Sequence, residues 1–158
     1  MAVFVGEFEQ VVDAKNRVAI PSPLRDQMVL TEDGENFYLV LGTKKHLWLF
    51  PELYYRKMIA QIDPSPLPSH NSEKYRMYFG LARVVKPDAQ GRVVLPEKCR
   101  QRAVIKDDVT LVGCRDHIEL WPTDEWEAHV AQAMEKWDDT VLEAGDRLEA
   151  SAAQHGQK

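Results

Sequence analysis

The chain has 158 residues, a net charge of −5 and 44% hydrophobic residues, a composition typical of a globular protein and not of a disordered one. No apolar run approaches the roughly 20 residues of a membrane helix. The N-terminus lacks the basic start and the long apolar centre of a signal peptide. Two cysteines are too few for a disulfide framework, so we expect a cytosolic, reduced protein.

The negative charge is concentrated towards the end of the chain. Residues 1–122 contain 17 lysines and arginines against 16 acidic residues, whereas residues 123–158 contain 3 against 9. The net charge argues against a simple basic protein that coats DNA. A nearly neutral body can still carry a locally basic face, so the total does not exclude nucleic-acid binding.

The apolar pattern of the first half predicts four short strands separated by turns and short helices. Runs of β-branched and aromatic residues favour strands, and proline is well tolerated where a helix begins. We therefore expect strands over 4–12, 18–20, 37–41 and 46–50, helical turns over 21–26 and 51–62, and a polar turn over 31–36.

Residues 63–72 contain three prolines at alternate positions and are predicted to be a linker. The second half then repeats the plan, with strands over 78–85, 93–95, 109–113 and 117–121 and a helical turn over 96–100. From Thr123 the sequence predicts one longer helix, with acidic residues in its first turn and fraying over residues 151–158. Its apolar stripe comprises Trp126, Val130, Met134, Trp137, Val141, Ala144 and Leu148.

A short motif occurs twice, at an offset of 75 residues. Asp13-Ala14-Lys15-Asn16-Arg17 leads through Val18 and Pro21 to Arg25, and Asp88-Ala89-Gln90-Gly91-Arg92 leads through Val93 and Pro96 to Arg100. Each copy is typical of a tight turn before a strand, because Asp bonds to its own backbone and Asn or Gly tolerates a positive φ. The motif thus places an arginine at the start of a strand in two equivalent units.

The exposed polar residues of the two turns are the candidates for ligand binding: Arg17, Arg92, Lys15, Asn16 and Gln90. We expect the turn-forming residues to orient the arginines: Asp13, Asp88 and Gly91. An alternative is that each arginine only closes its turn through a salt bridge, although exposed pairs contribute just about 0–1 kcal/mol. Arg25 and Arg100, which follow short helical turns, are expected to anchor the fold.

The sequence gives no positive support for an enzyme or a metal site. Cys114 and His117 have Cys-x-x-His spacing, but a zinc site needs more ligands than these two. Asp13 and Asp88 each lie near an arginine of their own turn, which favours a turn-making role over a paired-carboxylate site. No phosphate loop, nucleophile elbow or zinc-helix motif is present. We therefore expect no catalytic residue, no metal and no cofactor.

The doubled motif resembles that of the MraZ transcriptional regulators of bacteria, which are built from two SpoVT/AbrB-type repeats. Each copy has an Asp-x-x-x-Arg turn, a strand and a proline, and is closed by Gly…Leu-Phe-Pro or Gly…Leu-Trp-Pro. The resemblance covers residues 4–148. It implies a mainly β fold with short helices (α+β): repeats over 7–54 and 81–124 form a pseudo-twofold β-barrel, and an acidic amphipathic helix and tail follow over 125–158.

The resemblance also implies a function. MraZ proteins are cytoplasmic, nucleoid-associated proteins that act at the promoter of the division and cell-wall gene cluster, usually as repressors, and they form ring-shaped oligomers. The family's DNA-contacting arginines map onto Arg17 and Arg92, which should share one face of the barrel. Asn16 stands where the second copy has Gly91, and Asn tolerates the same left-handed geometry. The expected partners are double-stranded promoter DNA and further copies of the chain, with no membrane.

A second hypothesis comes from a different class of protein. The chain could be a non-catalytic structural or protein-interaction module, in which the arginines only hold the turns. Salt dependence separates the two hypotheses, because phosphate contacts make DNA affinity fall steeply with salt.

Overall fold

The computed structural model describes residues 1–62 and 67–157, and it divides into two compact units, Met1–Thr123 and Asp124–Lys158. The fold is mixed α+β. In chain order, the elements are β1 Glu7–Val11, β2 Arg17–Ala19, α1 Ser22–Arg25, α2 Leu30–Asp33, β3 Phe37–Leu41, β4 Leu47–Pro51, α3 Glu52–Ile59, α4 His70–Gly80, β5 Arg83–Val85, β6 Arg92–Val94, α5 Glu97–Arg102, β7 Asp108–Gly113, β8 Ile118–Pro122, α6 Thr123–Met134 and α7 Trp137–His155.

Six strands form one antiparallel sheet in the order β1-β7-β8-β4-β3-β5, and β2 and β6 form a separate antiparallel pair. Hairpins β3–β4 and β7–β8 lie where the sequence predicts them. Within the described residues, the edge strands β1 and β5 do not pair with each other. The mixed α+β class is therefore confirmed, whereas the closed barrel is not.

The two sheets share one hydrophobic core. The β2–β6 pair contributes Val18 and Val93, both 0% exposed, and the larger sheet contributes Leu39, Leu111 and Leu120. Each such side chain favours folding by about 1.5–3 kcal/mol when it leaves water. Burial of one face packs the β2–β6 pair against the larger sheet and leaves its other face outside this core.

Helix α4 occupies residues for which the sequence predicts a linker and the start of a strand. Ser69 caps this helix: its hydroxyl accepts a hydrogen bond from the amide of Ser72 at 3.1 Å, and its own amide donates to the Ser72 hydroxyl at 2.8 Å. This reciprocal capping satisfies amide groups that a helix start leaves unpaired. The strand begins only at Arg83, and residues 63–66 of the predicted linker lie outside the described residues.

Helix α2 replaces the predicted polar turn. Its last residue, Asp33, is buried, and its carboxylate accepts hydrogen bonds from the amides of Ala2 at 3.2 Å and Val29 at 2.9 Å. Buried carboxylates are stable only when such partners are present. Asp33 thus ties the N-terminus to the start of this helical turn.

The second unit contains two helices and not the single one that was predicted. The chain leaves helical geometry at Lys136, where φ is −124° and ψ is 33°. Helix α7 then extends to His155, past residue 151, from which fraying is predicted. Its apolar residues Trp137, Val141 and Leu148 are 49%, 51% and 73% exposed. Among the described residues, every helix is too short or too polar to cross a membrane.

Candidate nucleic-acid interface

The first turn, residues 13–17, is closed by both carboxylate oxygens of Asp13. Oδ1 accepts hydrogen bonds from the backbone amides of Lys15 and Arg17, each at 2.9 Å. Oδ2 accepts one from Nε of Arg17 at 2.7 Å. Asn16 has a φ of 60°, which is the left-handed region that asparagine enters more readily than most residues. One aspartate therefore shapes the turn and orients the arginine.

The second turn, residues 88–92, has the same set of hydrogen bonds. Asp88 Oδ1 accepts from the amides of Gln90 and Arg92, and Oδ2 accepts from Nε of Arg92, all at 2.9 Å. Gly91 has a φ of 76° at the position that Asn16 occupies in the first turn. The two turns thus hold their arginines in the same way.

These hydrogen bonds stabilise the charged form of both aspartates. The Arg17 amide, followed by the Arg17 side chain and the Lys15 amide, lowers the pKa of Asp13 against the opposing effect of desolvation. The Arg92 amide is the largest cause of the lowered pKa of Asp88, with further contributions from the Gln90 amide and the Arg92 side chain. Both carboxylates are therefore ionised at neutral pH.

The register of the β2–β6 pair puts both arginines on one face. Arg17 lies opposite Val94, and Arg92 lies opposite Ala19. Opposed residues of an antiparallel pair point to the same face, and side chains alternate along each strand. Because Val18 and Val93 point into the core, Arg17 and Arg92 project from the other face, with Cα atoms roughly 7–8 Å apart. The two arginines therefore share a face of this strand pair.

One backbone hydrogen bond connects each turn to the end of the opposite strand. The carbonyl of Asn16 accepts from the amide of Leu95 at 2.7 Å, and the carbonyl of Gly91 accepts from the amide of Ile20 at 2.9 Å. The residue with positive φ is in both cases the one whose carbonyl makes this contact. Each turn is therefore fixed by the strand that follows the other turn.

Arg17 and Arg92 retain hydrogen-bonding capacity beyond their aspartates. Their side chains are 27% and 29% exposed, and each uses Nε for the aspartate. Within the described residues, no hydrogen bond donated by their terminal amino groups is found. A guanidinium group in this state can donate two parallel hydrogen bonds to a phosphate or a base edge.

The arginines that end each motif support the opposite turns. Arg25 donates from Nε to the carbonyl of Ile20 at 2.7 Å and packs so closely on Gly91 that a Cβ there would lie 2.4 Å from its Nε. Arg100 donates from Nε to the carbonyl of Ile105 at 3.0 Å and from Nη1 to Asn16 Oδ1 at 2.7 Å. The sequence predicted anchoring for both, but it did not reveal that each contacts the other turn.

Lys15 and Gln90 occupy the same position in the two turns, and both are exposed. Their backbone amides donate hydrogen bonds to the turn aspartates. Among the described residues, no contact directs the two side chains towards the core. The first turn therefore adds a cation where the second adds a neutral amide.

The comparisons with known proteins agree with the doubled motif. A family model described as "MraZ protein, putative antitoxin-like" matches residues 3–76 and 78–145. The Transcriptional regulator MraZ of Lachnoclostridium phytofermentans is 29% identical over 143 residues, which cover 90% of this chain and 98% of the relative.

Two other relatives with the same name extend the match to different bacteria. The protein of Pediococcus pentosaceus is 31% identical over 87% of this chain and 93% of its own length. The protein of Chromobacterium violaceum is 33% identical over 78% of this chain and 83% of its own length. The matched residues include both turns, both hairpins and helix α6, and the chain therefore belongs to the MraZ family.

Proposed function

We propose that this chain is a DNA-binding transcriptional regulator that contacts double-stranded DNA through its two Asp-x-x-x-Arg turns. The observation that carries the proposal is the shared face of the β2–β6 pair, on which Arg17 and Arg92 are held by the same hydrogen bonds. The names of the relatives, all transcriptional regulators and not enzymes, support the same class of function.

The chemistry of the turns suits a nucleic acid. A guanidinium group oriented through Nε can use its terminal amino groups on a guanine edge or on a phosphate. Lys15 adds charge for phosphate contacts, and Gln90 offers an amide that can read a base edge. Asn16, whose Oδ1 accepts from Arg100 at 2.7 Å, has only its side-chain NH₂ left to donate to DNA. Asp13, Asp88 and Gly91 keep the turns in shape.

Self-assembly completes the proposal. One pair of turns makes only a few contacts, fewer than specific DNA complexes commonly use. We place repeats over 7–54 and 81–124 as a pseudo-twofold unit, and we place several copies in a ring that binds repeated promoter boxes. Such a ring gains affinity by effective concentration. In this role the protein acts in the cytoplasm, associated with the nucleoid, as a repressor of its own division and cell-wall gene cluster.

The experiment measures binding to the DNA directly upstream of the protein's own gene by fluorescence anisotropy. Arg17→Ala or Arg92→Ala should weaken binding by about 1–3 kcal/mol each, roughly 5- to 150-fold, if each arginine makes a bidentate base contact. Arg76→Ala is the matched control, because this exposed arginine pairs only with Glu73 on the same helix among the described residues. A lower melting temperature with unchanged DNA affinity would show that the arginines only hold the turns.

A second candidate function is a protein-interaction or assembly module. It is favoured by the exposed apolar residues of α7, since exposed apolar patches commonly mark protein contacts. A salt series separates the candidates: affinity for DNA through phosphates falls steeply with salt, whereas an apolar protein contact does not.

A further inference from the structure

A cluster of three potential metal ligands lies at the β7–β8 hairpin, away from the two turns in sequence. Cys114 and His117 are the first and last residues of the loop between these strands, and the amide of Cys114 donates to the carbonyl of His117 at 2.9 Å. Glu119 follows on β8 two residues after His117, so the two side chains point to the same face of the strand. The hairpin therefore brings a thiol, an imidazole and a carboxylate together.

The distances between the three donor atoms fit the binding of one metal ion by all three residues. The thiol sulfur, an imidazole nitrogen and a carboxylate oxygen of these residues all lie within 4.8 Å of one another. Zinc ligands at about 2.0–2.3 Å in a tetrahedral arrangement are about 3.3–3.5 Å apart. Small side-chain rotations would therefore bring all three donors to one ion.

The surrounding residues orient these donors as in many metal sites. Asp116 Oδ1 lies 2.7 Å from His117 Nδ1, which leaves Nε2 directed at Glu119 Oε2, 2.8 Å away. Trp121 donates from Nε1 to the other Glu119 oxygen at 2.9 Å, and the Tyr54 hydroxyl donates to Asp116 at 2.8 Å. A carboxylate that fixes the tautomer of a ligating histidine is a recurring outer partner of metal ligands.

We propose that Cys114, His117 and Glu119 form a site for a divalent transition-metal ion of the zinc class. Sulfur, nitrogen and oxygen donors together suit Zn²⁺ better than Mg²⁺ or Ca²⁺, which prefer oxygen ligands alone. Three protein ligands leave a fourth position for water or another donor. The site goes beyond the proposed DNA binding and does not depend on it.

The ion replaces interactions that the residues now make. It takes the place of the hydrogen bond between His117 Nε2 and Glu119 Oε2, and both the proton of that bond and the Cys114 thiol proton leave to solvent. The His117 and Glu119 side chains are 13% and 16% exposed, so neither lies fully inside the core. Trp48 stacks on the imidazole with ring centres 4.3 Å apart and limits its rotation.

The other hairpin provides an internal comparison. Aligned at an offset of 71 residues, Cys114, His117 and Glu119 correspond to Thr43, His46 and Trp48 on the β3–β4 hairpin. The histidine is present in both, but the thiol and the carboxylate occur only in the second hairpin. The β3–β4 hairpin folds without the thiol and the carboxylate, so the hairpin fold alone does not explain why all three donors are present in the second hairpin.

The test is a titration of the full-length, untagged, reduced protein with CoCl₂. We expect one equivalent of Co²⁺ per chain, with a thiolate-to-cobalt charge-transfer band in the near ultraviolet that ZnCl₂ abolishes by displacement. Cys114→Ala should lose this band, whereas Cys99→Ala should keep it, because Cys99 is buried in the core. Asp116→Asn should weaken zinc affinity by about 10- to 100-fold, as measured by competition with a chromophoric chelator.

Glu119→Gln serves as a second variant, because glutamine keeps an acceptor for Trp121 and offers a much poorer ligand. It should reduce cobalt affinity even if Cys114→Ala does not fold. Absence of the charge-transfer band in the parent protein would overturn the proposal and leave His117 as part of an ion-pair cluster only. Zinc uptake that is equal in the parent and in Glu119→Gln would overturn it as well.

Discussion

Arg100 donates a 2.7 Å hydrogen bond from Nη1 to the side-chain oxygen of Asn16, which lies 84 residues earlier in the chain. The same guanidinium is held from the other side by the carbonyls of Ile105 and Lys106. Asn16 is the residue with positive φ in the first turn. A residue of helix α5 therefore stabilises the strained position of a turn that belongs to the other half of the chain.

Substitutions of Asn16 separate the contribution of the Arg100 hydrogen bond from that of the positive φ. Asn16→Ala loses the hydrogen bond to Arg100 and keeps the unfavourable φ, so we expect a loss of about 2–3 kcal/mol in the free energy of unfolding. Asn16→Gly loses the same bond but adopts the positive φ freely, so its loss should be about 1 kcal/mol smaller. Urea denaturation at fixed protein concentration measures both. If both variants are as stable as the parent, the Arg100 contact contributes nothing.

The second turn should be less tolerant of a side chain. In Gly91→Ala the new Cβ would lie 2.4 Å from Arg25 Nε, at a residue whose φ is +76°. We expect a loss of about 1–3 kcal/mol in the free energy of unfolding, through backbone strain and displacement of Arg25. Gly145→Ala is the control, because this glycine lies within α7 and an added Cβ would have no atom within 4 Å apart from its chain neighbours and the helix's own backbone, so alanine should stabilise the helix by up to about 1 kcal/mol. Equal effects of the two substitutions would contradict this account.

The local turns and hairpins could be predicted from the sequence, because their signals lie within a few residues. Such local signals are the Asp and the Gly or Asn of each turn, and the apolar runs of the hairpins β3–β4 and β7–β8. Helix α4 was missed because Tyr78 and Phe79 suggested a strand, although Ser69 and Ser72 carried a capping signal upstream. The break at Lys136 has no proline or glycine to mark it.

Contacts between distant residues could not be predicted in this way. The hydrogen bond from Arg100 to Asn16 and the packing of Arg25 on Gly91 depend on how β2 pairs with β6, which no local pattern specifies. The same holds for the outer partners at the second hairpin, since Tyr54 reaches Asp116 from 62 residues away. The Cys-x-x-His spacing of Cys114 and His117 was judged too poor in ligands for a metal site, and Glu119 joins them only through the alternation of strand β8.

The turn aspartates predict an acid-dependent loss of stability. Their pKa values are lowered in the folded state, so their stabilising effect is present above the unfolded value of 3.8 and is lost as the pH falls from there through the folded pKa. The Asp13→Asn variant has no carboxylate charge at this position to lose in acid. Its melting temperature should therefore lie below that of the parent at pH 7, and the gap should narrow as the pH falls below 3.8. A gap that stays constant across this range would exclude the carboxylate charge as its cause.

The two turns should differ in their contribution to DNA affinity. Lys15→Gln removes the extra cation of the first turn and should lower the slope of log affinity against log salt by about 1. Gln90→Ala should leave that slope unchanged and reduce discrimination between matched and scrambled DNA, because the amide can read a base edge. Both are measured by anisotropy across a salt series. If the salt slope of Lys15→Gln equals that of the parent, the first turn does not contribute the extra cation to DNA binding. If Gln90→Ala discriminates matched from scrambled DNA as well as the parent does, Gln90 does not read a base edge.

The second unit should stabilise the assembly and not contact DNA. Residues 123–158 carry nine acidic residues, which repel phosphate, and α7 exposes Trp137 and Val141. Truncation after Pro122 should cause dissociation or loss of solubility, as measured by light scattering after size-exclusion chromatography. A truncated protein of the same oligomeric size as the parent, with equal solubility, would rule out this role.

The pairing of β2 with β6 has a consequence for synthesis of the protein. Strand β2 is complete at residue 19, but its partner begins at Arg92, so a nascent chain lacks this pair until both strands have left the ribosome. At about 5–20 residues per second, the 75 residues between the two turns take about 4–15 s to translate. Prematurely terminated chains that end before residue 92 therefore carry Arg17 on an unpaired strand, without Leu95 or Arg100 to hold its turn. Under the proposed function, such fragments would not compete with the finished protein for DNA.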